Sequence, residues 1–193
     1  MGTRGAYGFR VEGKDKVTYN HFDSYPRELG DNVLNYICKT PLAKMRDIAL
    51  RIELVDRDSQ PSEEAKRIYR KYADLQVSEH SYDDWYCLLR NTQGDLFPYS
   101  KDLHDMIDSH EFLADSLFCE WAYIINLDTT RLEAYVGFNK NPSAKGRYAS
   151  QSIEDNNGYY GVALLKEMPI QNITRERIAS LVKEIEVLGG YAR

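Results

Sequence analysis

A chain of 193 residues, with 42% hydrophobic and 28% charged side chains, has the size and composition of one globular domain, which sets disorder and coiled coil aside. A net charge of −5 excludes bulk attraction to nucleic acid or an anionic membrane surface, while leaving room for a local basic patch. No apolar run approaches the roughly 18 residues of a membrane span and MGTRGAYGFRVEG has no apolar signal core, so a cytoplasmic setting is expected.

Residues 5–11 and 16–23 read as two strands joined by Glu12-Gly13-Lys14-Asp15, a hairpin. With a period of two, Tyr7, Phe9 and Val11 share one face, and Val17, Tyr19, His21 and Asp23 share a face of the second strand. Ser24-Tyr25-Pro26 breaks that strand, and Val33, Leu34, Ile37 and Cys38 recur at helical spacing. Thr40 as N-cap and Pro41 at the first position open a second helix, whose stripe runs Leu42, Met45, Ala49, Ile52 and Val55. A third helix starts near Ser62 and buries Ala65, Ile68, Tyr69 and Tyr72, and a fourth follows Ser81 and Asp84, carries Trp85, Leu88 and Leu89, and ends at Gly94. Residues 117–138 form a second hairpin about Asp128-Thr129-Thr130, its first strand apolar on both faces and therefore central. The polar stretch 139–158 reads as a flexible loop, Tyr159 to Leu165 as a fifth strand, and Ile178, Leu181, Val182 and Ile185 as the buried stripe of a last helix ended by Gly189-Gly190. These elements predict a single α+β domain over 1–193, a mostly antiparallel sheet of about five strands with helices packed on it, and a core containing Leu34, Trp121, Ile124, Leu181 and Ile185.

The opening Met1-Gly2-Thr3-Arg4, the hairpin, Tyr19 and then His21-Phe22-Asp23-Ser24-Tyr25-Pro26 resemble a group of uncharacterised bacterial and phage proteins whose N-termini read M-G-T-R, a strand pair and Y-D-G-Y-P. The likeness covers roughly the first 30 residues and departs at Ser24, where those proteins commonly show Gly. It implies a cytoplasmic or phage-borne setting and carries no chemistry.

The residues themselves offer four candidate sites. Arg4, Arg10, Tyr19, His21, Asp23 and Tyr25 bring together guanidinium forks suited to phosphate or carboxylate, aromatic rings suited to bases, and a His near an Asp; alternatively Arg4 pairs with Asp23 as a structural contact. The basic residues of the loop, Lys145 and Arg147 foremost, offer a lid over an anion. His104, Asp108 and Glu111 share one face if 102–111 is helical, which permits a metal, but no matched ligand group stands elsewhere and no metal is expected. An amino-terminal nucleophile is disfavoured, since Gly2 would lead the processed chain and Thr3 stands one place too late.

The three cysteines, Cys38, Cys87 and Cys119, read as core residues, and phosphate-loop, dinucleotide-fold, serine-elbow and zinc-protease motifs are missing. The expected function is non-catalytic binding of a small, nucleotide-derived anion without a cofactor. In a phage setting that means sequestering an immune signal. A hydrolase acting on a similar ligand, with His21 and Asp23 as acid and base, is the alternative. A third reading is an interaction module, for which 15 tyrosines supply a surface that also suits a homo-oligomer.

Overall fold

The computed structural model describes residues 2–153 and 157–190. Its centre is a five-stranded sheet made from β1 (Gly5–Val11), β2 (Lys14–Asn20), β5 (Trp121–Asn126), β6 (Arg131–Val136) and β7 (Ala163–Pro169), in the order β2-β1-β5-β6-β7. The neighbours pair antiparallel except β1 and β5, which run parallel. A small parallel pair, β3 (Glu53–Val55) and β4 (Asp105–Ile107), stands apart from it. The helices are α1 (Asp31–Lys39), α2 (Leu42–Arg51), α3 (Glu63–Tyr69), α4 (Trp85–Leu88) and α5 (Ile178–Leu188). Among the described residues no helix is long and apolar enough to cross a membrane.

The hairpin forms because Glu12 and Gly13 both take positive φ, 52° and 75°, the geometry that matches the twist of the strands it joins. Asp128, in the turn of the other hairpin, accepts from the Glu12 and Gly13 amides at 2.8 and 2.9 Å, so the two turns are tied where the parallel strands end together. The main core lies on one face of the sheet, where Tyr7, Phe9, Val11, Trp121, Tyr123 and Ile125 meet Leu34 of α1 and Leu181 and Ile185 of α5. The opposite face carries Ala6, Val17, Ala122, Ile124 and Tyr135, and is covered by Leu113, Tyr148 and Val162. Both faces of β5 are thus dry, as its sequence predicts, and Cys119 lies in the second cluster.

Several expectations change, among them the fourth helix, which is a single turn, Trp85–Leu88, and does not run to Gly94. The second helix stops at Arg51, and Glu53-Leu54-Val55 pair with Asp105-Met106-Ile107, so Val55 leaves the helical stripe for a strand; Pro41 rather than Thr40 is the N-cap. The 102–111 stretch is consequently not helical, and the shared face of His104, Asp108 and Glu111 does not exist, because Met106 and Ile107 are buried by strand pairing. The fifth strand begins at Ala163 instead of Tyr159, since the Gly161 and Val162 amides donate to the Gln151 and Leu113 carbonyls, outside the ladder.

Candidate functional site

β2 ends at Asn20, whose side-chain amide donates to the Phe22 carbonyl and to Ser24 Oγ, and this closes a turn in the chain. The turn changes where the next side chains point. Tyr19 and His21 stay together, with the Tyr19 hydroxyl 2.8 Å from His21 Nδ1, but Asp23 takes φ 51° and faces away. Thus the strand period carries one residue past the ladder, to His21, and fails at Asp23.

Tyr19 and His21 line a cavity of about 570 Å³ together with Arg4, Arg57, Tyr86, Gln93, Asp108 and Phe112, within the range of small-ligand pockets. Its walls come from separate parts of the chain. Arg4 enters just before β1, Arg57 just after β3, and Asp108 just after β4, so the small parallel pair delivers two of the lining residues. Tyr86 comes from α4, and Phe112 from a 3-10 turn, His110–Ala114, meeting Tyr19 edge to face at 5.1 Å.

Charge is unevenly distributed here. Arg57 and Arg90 lie against the Tyr86 ring at 5.1 and 5.4 Å, and Arg4 lies 5.6 Å from the Phe118 ring. Among the described residues, ion pairs engage Arg10, Arg27, Arg46, Arg67, Arg131 and Arg147, and none engages Arg4, Arg57 or Arg90. The carboxylate in the cavity, Asp108, is itself engaged by His110, whose Nδ1 stands at 2.9 Å and whose amide donates at 3.1 Å. Gln93 Oε1 accepts from both the His21 amide and the Arg90 guanidinium, which fixes the Arg beside the His.

The arginines register on the titrating groups. Burial first, then the charges of Arg90 and Arg4, lower the His21 pKa below its ordinary value, so the ring is neutral at pH 7. In the tautomer whose Nδ1 accepts from the Tyr19 hydroxyl, the ring proton sits on Nε2. Burial raises the Tyr19 pKa against the opposing pull of Arg4, Arg90 and Arg57, so its hydroxyl stays protonated and able to donate to Nδ1.

The structure therefore brings together Arg4, Tyr19 and His21 of the sequence candidates. Asp23 instead lines an adjoining polar hollow of about 430 Å³ with Asn20, Glu28, Asn32, Asp74 and Arg90, and it makes no ion pair with Arg4 among the described residues. Tyr25 lines a third cavity, on the other side of Arg4 and His21. Arg10, six residues and about 20 Å of strand from Arg4, binds Asp15 at 2.9 Å at the far end of β1.

The basic loop is not a wall of this site either. Arg147 is drawn to Glu133, a carboxylate only 2% exposed that also accepts from Asn126 and Tyr135 at 2.7 and 2.8 Å. Burial pushes the Glu133 pKa up, but these hydrogen bonds and the guanidinium outweigh it and hold the group ionised. Lys145 is exposed, its carbonyl accepting from the Leu164 amide.

Sequence reasoning missed Arg57, Tyr86, Arg90 and Phe112. Tyr86 and Arg90 stand four apart, the only local signal, and an isolated pair of that spacing occurs on many helices. Comparison with family models, curated proteins and solved structures finds no match for this chain.

Proposed function

We propose that this protein binds a small anionic ligand of nucleotide type in the cavity between Arg4, Tyr19, His21, Arg57 and Tyr86, without turning it over. The observation that carries this reading is that Arg4 and Arg57 line an aromatic cavity, with Arg90 held beside its His21 wall, and that none of the three makes an ion pair among the described residues of a protein of net charge −5. Guanidinium groups held without a counter-charge favour an anion from outside, and the faces of Tyr19, Tyr86 and Phe112 suit a flat ring attached to it. The His21 Nε2 proton adds one more donor. In a phage-borne setting, which the N-terminal resemblance implies, this amounts to sequestering a signalling nucleotide.

A hydrolase is the second reading, favoured by a His and Asp in contact at the cavity edge. That pair is His110 and Asp108 at 2.9 Å, rather than His21 and Asp23. Calorimetric titration of nucleoside monophosphates into the parent and Arg4→Ala, followed by mass spectrometry of the recovered ligand, separates the readings. Intact ligand is expected, with Arg4→Ala weakening binding by about one to two decades, the equivalent of a lost charge-assisted hydrogen bond, at an unchanged melting temperature. Recovery of cleaved product makes it a hydrolase, and equal affinity in both proteins removes Arg4 from the site.

A further inference from the structure

The Arg4 and His21 side chains line two cavities at once. Beyond them lies a second hollow of about 520 Å³, walled by Phe22, Tyr25, Phe118, Glu120 and Phe138. The two spaces are therefore neighbours across one cationic and hydrogen-bonding ridge, and each is lined by aromatic rings: Tyr19, Tyr86 and Phe112 in the first, Phe118 and Phe138 in the second.

The second hollow is an open cup. Phe22, Phe118 and Phe138 are 52%, 49% and 46% exposed, three large rings around one opening, where scattered single apolar side chains are the ordinary surface condition. Arg4 rests against Phe118 and His21 meets the Phe22 ring at 4.2 Å, so the ridge is held by this cup as well as by Tyr19 from the other. A carboxylate, Glu120, lies in the cup and Asp108 in the first cavity, so each side presents a hydrogen-bond acceptor beside its rings. An aliphatic chain or a plain apolar peptide side chain has no use for those acceptors. A nucleobase, with ring and amino donors on its edge and two faces to stack, has.

Resting on the nucleotide reading of the first cavity, we infer that the ligand is a dinucleotide, its linking phosphodiester on the Arg4 guanidinium and the His21 ring and one base in each aromatic cup. The charge arrangement fits that class: Arg4 and His21 stand at the shared ridge, Arg57 stands in the first cavity within the same cationic group, and rings with acceptors stand to either side. A mononucleotide fills the first cavity and leaves the second empty. The second base adds stacking, which is worth about tenfold or more in affinity for each base engaged.

The experiment is calorimetric titration of AMP and GMP, and of the linear and cyclic dinucleotides of the same bases, into the parent, Phe118→Ala and Phe138→Ala, with melting curves as a folding control. Phe138→Ala is the variant that leaves the Arg4 and Phe118 contact in place. The expected result is that a dinucleotide of the set binds the parent at least about tenfold more tightly than its mononucleotide, and that either Phe variant removes most of that advantage. If mono- and dinucleotide bind the parent equally, or if the advantage survives both substitutions, the second cup is no part of the site; the dinucleotide assignment falls and the first cavity stands. If no nucleotide of the set binds, both fall together.

Discussion

At the scale of single residues, the site turns on a neutral His21. Its pKa is lowered by burial and then by Arg90 and Arg4, so folding removes a proton affinity that the unfolded chain has. Stability from this group is therefore present above about pH 6.5 and is lost as pH falls through the depressed folded value. A bound phosphate does the reverse, since an anion beside the ring stabilises the imidazolium and raises the pKa. Affinity for a phosphodiester, which does not itself titrate near neutrality, is expected to rise as pH falls from 8 to 6, and to lose that slope in His21→Asn. A flat profile in the parent would place the anion away from His21. The pairing of Tyr19 with His21 was legible in the alternation of β2, whereas the departure of Asp23 was not, because Asn20 closes the turn through its side chain and strand periodicity says nothing of that.

At the scale of elements, the two hairpins and the last helix follow from their patterns: β5 is dry on both faces, and Ile178, Leu181, Val182 and Ile185 are buried along α5. The small parallel pair was illegible. Three residues per strand give periodicity nothing to count, and Ile52 with Val55 fit a helical stripe as well as they fit a strand following a break. It is the same short pair that sets Arg57 and Asp108 in the cavity, so misreading it concealed the place of both. The long-range tie between hairpin turns is likewise a property of pairing, since Asp128 reaches amides more than a hundred residues away. Those hydrogen bonds lower the Asp128 pKa, Gly13 contributing most. Asp128→Ala is expected to cost about 1 kcal/mol in urea unfolding, the net worth of such bonds near solvent, and an unchanged midpoint would mean that water replaces them without loss.

At the scale of the whole molecule, the sheet divides labour between its faces. One packs helices over Trp121 and Tyr123; the other holds Glu133 and Arg147 with Tyr135 and Tyr148 under the chain that follows β6. Arg147 thus belongs to the packing of the domain, while Arg4, Arg57 and Arg90, which make no ion pair among the described residues, stand near the end of β2. Formal charge hides this: a net −5 describes the sum, and a ligand meets the local excess.

Arg57 offers the most direct test, because it was invisible in sequence and enters only through the fold. Arg70 supplies the control: its substitution removes the same charge, but it lies against Tyr82 in a different hollow with Glu63, Lys66 and Arg67. Calorimetric titration of the best-bound nucleotide into Arg57→Ala and Arg70→Ala is predicted to show about a tenfold or greater loss for the first and parental affinity for the second, with both proteins folded. Equal affinities in the two variants would mean that the ligand answers to overall charge or binds elsewhere, and would contradict the assignment of this cavity.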